Sequence, residues 1–128
     1  MTLKEIQDEV IKKYRIKLNE YSDCWGRMHA HVKQRMICKW HQKNSLRATF
    51  DLFHEIGHVE TTVSGMRRCE EEFYATEFAI NLFKEYGLTV PENVLKIYQE
   101  YIWMELDRGV RRHGKNLPTR EEMTLRGC

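Results

Sequence analysis

The residues His54-Glu55-Ile56-Gly57-His58 form an HExxH pattern, within a stretch whose hydrophobic spacing is helical. Histidines four positions apart project from one helical face about a turn apart, so their imidazoles can converge on one divalent ion. The glutamate between them can then reach a water bound to that ion and accept its proton. Zn²⁺ is the ion this donor type suits, and water activation for hydrolysis is the chemistry that follows. A catalytic zinc also takes a third protein ligand and keeps a position open. The run Glu70-Glu71-Glu72 offers three candidates on the next predicted helix. Its buried face is marked by Ala75, Phe78, Ala79, Leu82, Phe83 and Tyr86; this periodicity turns Glu70 away and leaves both Glu71 and Glu72 open. The same run has a plain reading as an acidic first turn favoured by the helix dipole.

The elements that must position these groups follow from pattern. Leu3, Ile6, Val10, Tyr14 and Leu18, with a Thr2/Glu5 capping box, predict a helix ending near Asn19. Alternation over Trp25–Val32 and again around Met36–Trp40 predicts two strands paired as an antiparallel hairpin, too small to stand alone. Asn44 or Ser45 caps a helix reaching about Glu60, in which Leu46, Thr49, Leu52, Phe53, Ile56 and Val59 face the core. Arg47, Asp51, His54 and His58 take the opposite side, towards solvent or a polar cleft. A third helix spans Cys69 to Tyr86, ended by Gly87. A fourth starts near Pro91 and is closed by Gly109, and Thr119 with Glu122 caps a last short helix. Tyr98, Tyr101, Ile102, Trp103 and Met104 make the fourth helix apolar around much of its circumference, suited to deep packing or to a partner.

Other histidines and cysteines carry weaker signals. His29 and His31 share a strand face, half of a metal site in principle, but no second half of comparable spacing is evident; a polar sheet face is the preferred reading. One of them, or Tyr74, is a candidate donor to a developing oxyanion. Cys69 reads as a packed thiol outside the site. None of Cys24, Cys38, Cys69 and Cys128 lies in a CxxC pair, so reduced thiols are expected.

With the motif and its flanks in view, the chain resembles the ImmA/IrrE-type zinc metallopeptidases. The similarity runs from Arg47-Ala48-Thr49-Phe50-Asp51-Leu52-Phe53 through the HEIGH core to Glu72-Phe73-Tyr74-Ala75-Thr76-Glu77-Phe78-Ala79. In that family a ligand glutamate is followed by Ala three residues on and by Phe-Ala at six and seven. The resemblance thereby implies Glu72 as the third ligand beside His54 and His58, Glu55 as the catalytic base, and Zn²⁺ as cofactor. It further implies a zincin-like order of helix, strands, HExxH helix and glutamate helix. Thr76 stands where relatives often carry Asn or Asp to orient a ligand, and Leu82-Phe83-Lys84 replaces a frequent Leu-Met-Pro. The substrate class implied is a protein, such as a repressor or regulator of a mobile element or phage.

Length and composition bound these readings. The chain has 128 residues, 41% hydrophobic and 31% charged, enough for one domain, 1–128. No apolar run approaches the roughly 20 residues of a membrane helix, and no signal-like apolar segment opens the chain, so a cytoplasmic setting is expected. Net charge is +2, with six basic against two acidic side chains in the tail 108–128. That tail has no aromatic residues for base stacking, which argues against nucleic acid and for a solvated surface. The expectation is an α+β, mainly helical domain with a small antiparallel hairpin beside the HExxH helix, acting as a zinc metalloendopeptidase. The alternative is a non-catalytic interaction protein that keeps the zinc scaffold and binds a protein or nucleic-acid partner.

Overall fold

The computed structural model describes residues 1–19, 28–113 and 117–126, with residues 111–113 as backbone only. Their architecture is α+β and mainly helical. Four helices, α1 (Leu3–Lys13), α2 (Leu46–Thr61), α3 (Arg68–Glu85) and α4 (Glu92–His113), surround a sheet of three short strands, β1 (Lys17–Asn19), β2 (His29–His31) and β3 (Met36–Cys38). No described helix is long and apolar enough to cross a membrane.

The sheet differs from a lone hairpin. β2 and β3 pair antiparallel as the alternation predicts, with His29 opposite Cys38 and His31 opposite Met36. The Trp25–Arg27 part of the predicted strand lies outside the described residues. β1, however, pairs parallel with β3, giving a mixed sheet ordered β1-β3-β2. It arises because α1 stops at Lys13 and not near Asn19. After Tyr14, Arg15 adopts φ +53°, the left-handed conformation that closes a helix. The Ile16 amide then donates to the Ile11 carbonyl at 3.0 Å and the Arg15 amide to that of Lys12 at 3.2 Å. Leu18, spaced as a helical residue, is thus a strand residue, 41% exposed.

Other boundaries follow local chemistry. The Thr2/Glu5 box is formed reciprocally at 3.1 and 3.2 Å. Ser45, not Asn44, caps α2 by accepting from the Ala48 amide. Gly109 does not close α4, which runs on to His113. A Cβ there would meet Leu117 only at 3.5 Å, and a helical glycine costs about 1 kcal/mol, too little to end a well-packed helix. Thr119 and Glu122 form their expected reciprocal bonds, both 3.1 Å, around a single turn in place of a short helix.

The core gathers one face of each helix over the sheet. Phe50, Phe53 and Phe83 lie at its centre, with edge-to-face contacts at centroid distances of 5.3 and 5.7 Å to Phe83. A satellite cluster of Cys69, Phe73, Ile102, Leu106 and Met123 packs α3, α4 and the tail together. Cys69 is therefore a packed thiol, as expected, and α4 is packed on one side while Ile97 and Met104 face outward. One close approach between helices bears on function. A Cβ built on Gly57 would fall 2.5 Å from the Ala75 carbonyl oxygen and 2.8 Å from its Cα, so α2 and α3 touch backbone to backbone at this point.

Candidate metal centre

That contact lies between the residues of interest. Gly57 is within the HExxH segment on α2, and Ala75 is three residues after Glu72 on α3. Their proximity draws Glu72 across to the two histidines. His54 Nε2 lies 3.0 Å from Glu72 Oε2 and 3.1 Å from His58 Nε2, and His58 Nε2 lies 3.3 Å from Glu72 Oε1. Around a tetrahedral ion with bonds of 2.0–2.1 Å, ligand atoms stand about 3.3–3.4 Å apart. The three donors are at or slightly inside that separation, a group able to hold a metal ion.

Proton placement strengthens the fit. The Thr76 hydroxyl donates to the Glu72 backbone carbonyl at 2.7 Å, so its oxygen accepts from His54 Nδ1–H at 3.1 Å. That fixes the His54 tautomer and leaves Nε2 with a bare lone pair aimed at the Glu72 carboxylate. Two acceptors 3.0 Å apart in a buried pocket repel unless a proton or a cation lies between them. A proton is disfavoured, because burial outweighs the nearby carboxylate and pushes the His54 pKa down. A divalent cation meets the geometry and the charge together. Thr76, noted in the sequence as a departure from the pattern the chain resembles, thus holds the His54 ring in place through Nδ1.

The surrounding charges are arranged around the same point. Burial opposes ionisation of Glu72, but the imidazoles of His54 and then His58 beside it outweigh that and hold its carboxyl well below the usual range. Burial also opposes protonation of His58, yet its bond to Glu72 prevails and raises its pKa. Among the described residues Glu55 has no such partner; burial pushes its carboxyl up to about 7. Arg68, in the first turn of α3, reaches Glu72 Oε1 at 3.2 Å.

A cavity of about 630 Å³ opens over these groups, walled by β2, α2, α3 and α4. His54, Glu55, His58 and Glu72 all line it. His54 is only 4% exposed, so the polar cleft predicted for this helix face is sealed at its inner end. Tyr98 on α4 provides the cover: its ring lies 4.7 Å from that of His54 and its hydroxyl donates to Asp51 Oδ1 at 2.5 Å. Of the acidic run, Glu72 joins the histidines. Glu71 lines the cavity and pairs with Arg68 at 3.5 Å, and Glu70 accepts from the Arg67 amide. Tyr74 is 41% exposed and outside the cavity wall, so it is not placed as an oxyanion donor; His29 is in the wall.

Tyr98 and Arg68 are the site residues that pattern reasoning passed over. Thr76, one turn beyond Glu72 on the same helix face, drew notice only as a departure from the family pattern. Tyr98 is hidden by its regular place in the apolar stripe of α4. Comparisons with protein-family models, with curated proteins and with solved structures find nothing that matches this chain. Fold and geometry therefore define it at the level of an α+β protein with a buried His/His/Glu group able to bind metal.

Proposed function

We propose that the chain is a zinc-dependent metalloendopeptidase, a minimal zincin-like domain of the ImmA/IrrE type, with His54, His58 and Glu72 as zinc ligands and Glu55 as catalytic base. One observation carries this reading: three donors converge at 3.0–3.3 Å, with the His54 lone pair directed inward by Thr76, in the same cavity as a glutamate unpaired with any of them. Zinc held there would polarise a scissile carbonyl and acidify a water. Glu55 takes a proton at its carboxylate as the water oxygen adds to the carbonyl carbon, and returns it to the amine nitrogen as the C–N bond breaks. Burial pushes that carboxyl up in the metal-free chain, the direction that favours a group which both takes and returns a proton.

The rest of the cavity supports a peptide as substrate. β2 is an outer strand of the described sheet and contributes His29 and Ala30 to the wall, so an extended segment can lie along it by strand addition. Arg68 and Tyr101, across the opening on α3 and α4, offer donors to its carbonyls. The resemblance points to a regulator of a mobile element or phage as the protein cleaved.

Metal analysis and one substitution test the reading. The purified chain should hold zinc at the helical site, and Glu55→Gln should keep that zinc while losing peptide hydrolysis. Retained biological effect in Glu55→Gln would favour the binding-protein reading instead.

A further inference from the structure

We propose a second zinc site, structural in role, formed by His29 and His31 of β2 and Cys38 of β3. His29 Nε2 and His31 Nε2 approach to 3.2 Å, and one ring nitrogen of each histidine lies within 4.8 Å of Cys38 Sγ as part of one donor group. Strand geometry explains the convergence. Residues two apart on a strand share a face, and His29 is the register partner of Cys38, so all three side chains leave the sheet on one side. The neighbouring pair Ala30 and Ile37 points the other way, into the main core. The sequence lacked a visible second half for His-x-His because that half is a single cysteine supplied by antiparallel pairing.

Donor chemistry selects the ion. Two imidazoles and a thiolate suit zinc, whereas magnesium and calcium take oxygen ligands. The 3.2 Å separation of the nitrogens matches the edge of a zinc tetrahedron, about 3.3 Å. On binding, Zn²⁺ forms a Zn–S bond and the Cys38 thiol proton leaves to solvent, with no change of oxidation state. The remaining coordination position takes a water or a further side chain. Cys38 is fully buried, which suits a holding role rather than one at an open reaction centre.

The fold gives such an ion something to hold. β2 and β3 are three residues long, the short end of the usual range, and β2 forms part of the cavity wall over the HExxH helix. A metal linking β2 to β3 fixes that wall.

Cobalt substitution distinguishes the two sites, because only the sheet site contains sulfur. Chelator-stripped full-length chain should take up two equivalents of Co²⁺ and develop a near-ultraviolet thiolate-to-cobalt charge-transfer band. His54→Ala/His58→Ala should lower uptake from two equivalents to one and keep the band. Cys38→Ser should also lower it to one, and the band should vanish. Wild-type chain binding one equivalent without the band overturns the proposal, as does a band undiminished in Cys38→Ser. If Cys38→Ser does not fold, His31→Ala is read the same way: a lost or shifted band supports the site and an unchanged one overturns it. Because the band does not depend on hydrolysis, failure of the peptidase reading leaves this result intact, and the converse holds.

Discussion

Two histidine pairs meet nitrogen to nitrogen in this protein, His54 with His58 at 3.1 Å and His29 with His31 at 3.2 Å, on different backbones. A helix turn brings together residues four apart, and a strand brings together residues two apart. The third donor differs too: a carboxylate from the adjoining helix in one case, a thiol from the adjoining strand in the other. Beside the helical pair stands Glu55, with a carboxyl pushed up to about 7 by burial, and a large cavity opens over both. Beside the strand pair the thiol is fully buried. Close histidines are thus common to both, and the two clusters differ in the third donor and in the buried carboxyl that stands beside only the helical one.

The largest effect that would sharpen this contrast is catalytic. Glu55→Gln should lower peptide hydrolysis about 10²–10⁴-fold, the usual range for losing a general base, with zinc content unchanged. Steady-state kinetics with metal analysis checks it; loss of zinc along with activity would blur the distinction between base and ligand.

Next comes the stability of the metal-free chain. Burial raises the Glu55 carboxyl from its ordinary 4.5 to about 7, so its charged form opposes folding increasingly as pH rises through that window. At about 1.4 kcal/mol per pH unit, Glu55→Gln should stabilise the apoprotein by up to about 3 kcal/mol above pH 7 and by little below pH 4.5. Glu72 has the opposite sign: its depressed pKa contributes stability above about 4.5 that fades as pH falls further. Denaturant unfolding of Glu55→Gln at pH 4.5 and pH 8 measures the difference.

Smaller effects test the supports. Thr76→Val removes the hydroxyl that orients His54 and should weaken zinc binding at the helical site about 10–100-fold, leaving the cobalt–thiolate band of the sheet site untouched. Competition with a chelator reads the first and absorbance the second. Gly57→Ala gains about 1 kcal/mol of helix propensity but must push apart two backbones 2.5 Å from the added carbon, an overpacking cost of about 1–3 kcal/mol. The relevant atom is backbone and cannot rotate aside, so a net loss of up to about 2 kcal/mol is expected in thermal unfolding, with weaker metal binding.

Residue patterns disclose the helical site more fully than the fold around it. HExxH spacing is visible because side chains on a helix recur with the helical period; the same period turns Glu70 away but leaves Glu71 beside Glu72, and only the family resemblance singles out Glu72. Fold errors cluster where a backbone does something without the residue that usually marks it. Gly87 ends α3 at φ +67°, with Leu88 donating to Phe83 at 2.8 Å; Arg15 ends α1 at φ +53° with the same bonding pattern. Glycine made the first legible, and arginine concealed the second together with the parallel strand β1 that follows it. Gly109 is the reverse case, a glycine that stops nothing because Leu117 packs beside it. The sheet cluster was invisible for another reason: the pairing of His29 with Cys38 is a property of register, and neither residue signals it alone.

The Gly57–Ala75 contact also governs how this protein can vary. Because main-chain atoms set the distance between α2 and α3, the spacing of the three helical donors does not depend on which large side chains fill the rest of the core. Exchanging Leu52 or Phe83 would act on that ruler only through the surrounding packing, whereas Phe50, in edge-to-face contact with the Tyr98 ring that covers His54, also reaches the centre by a second route.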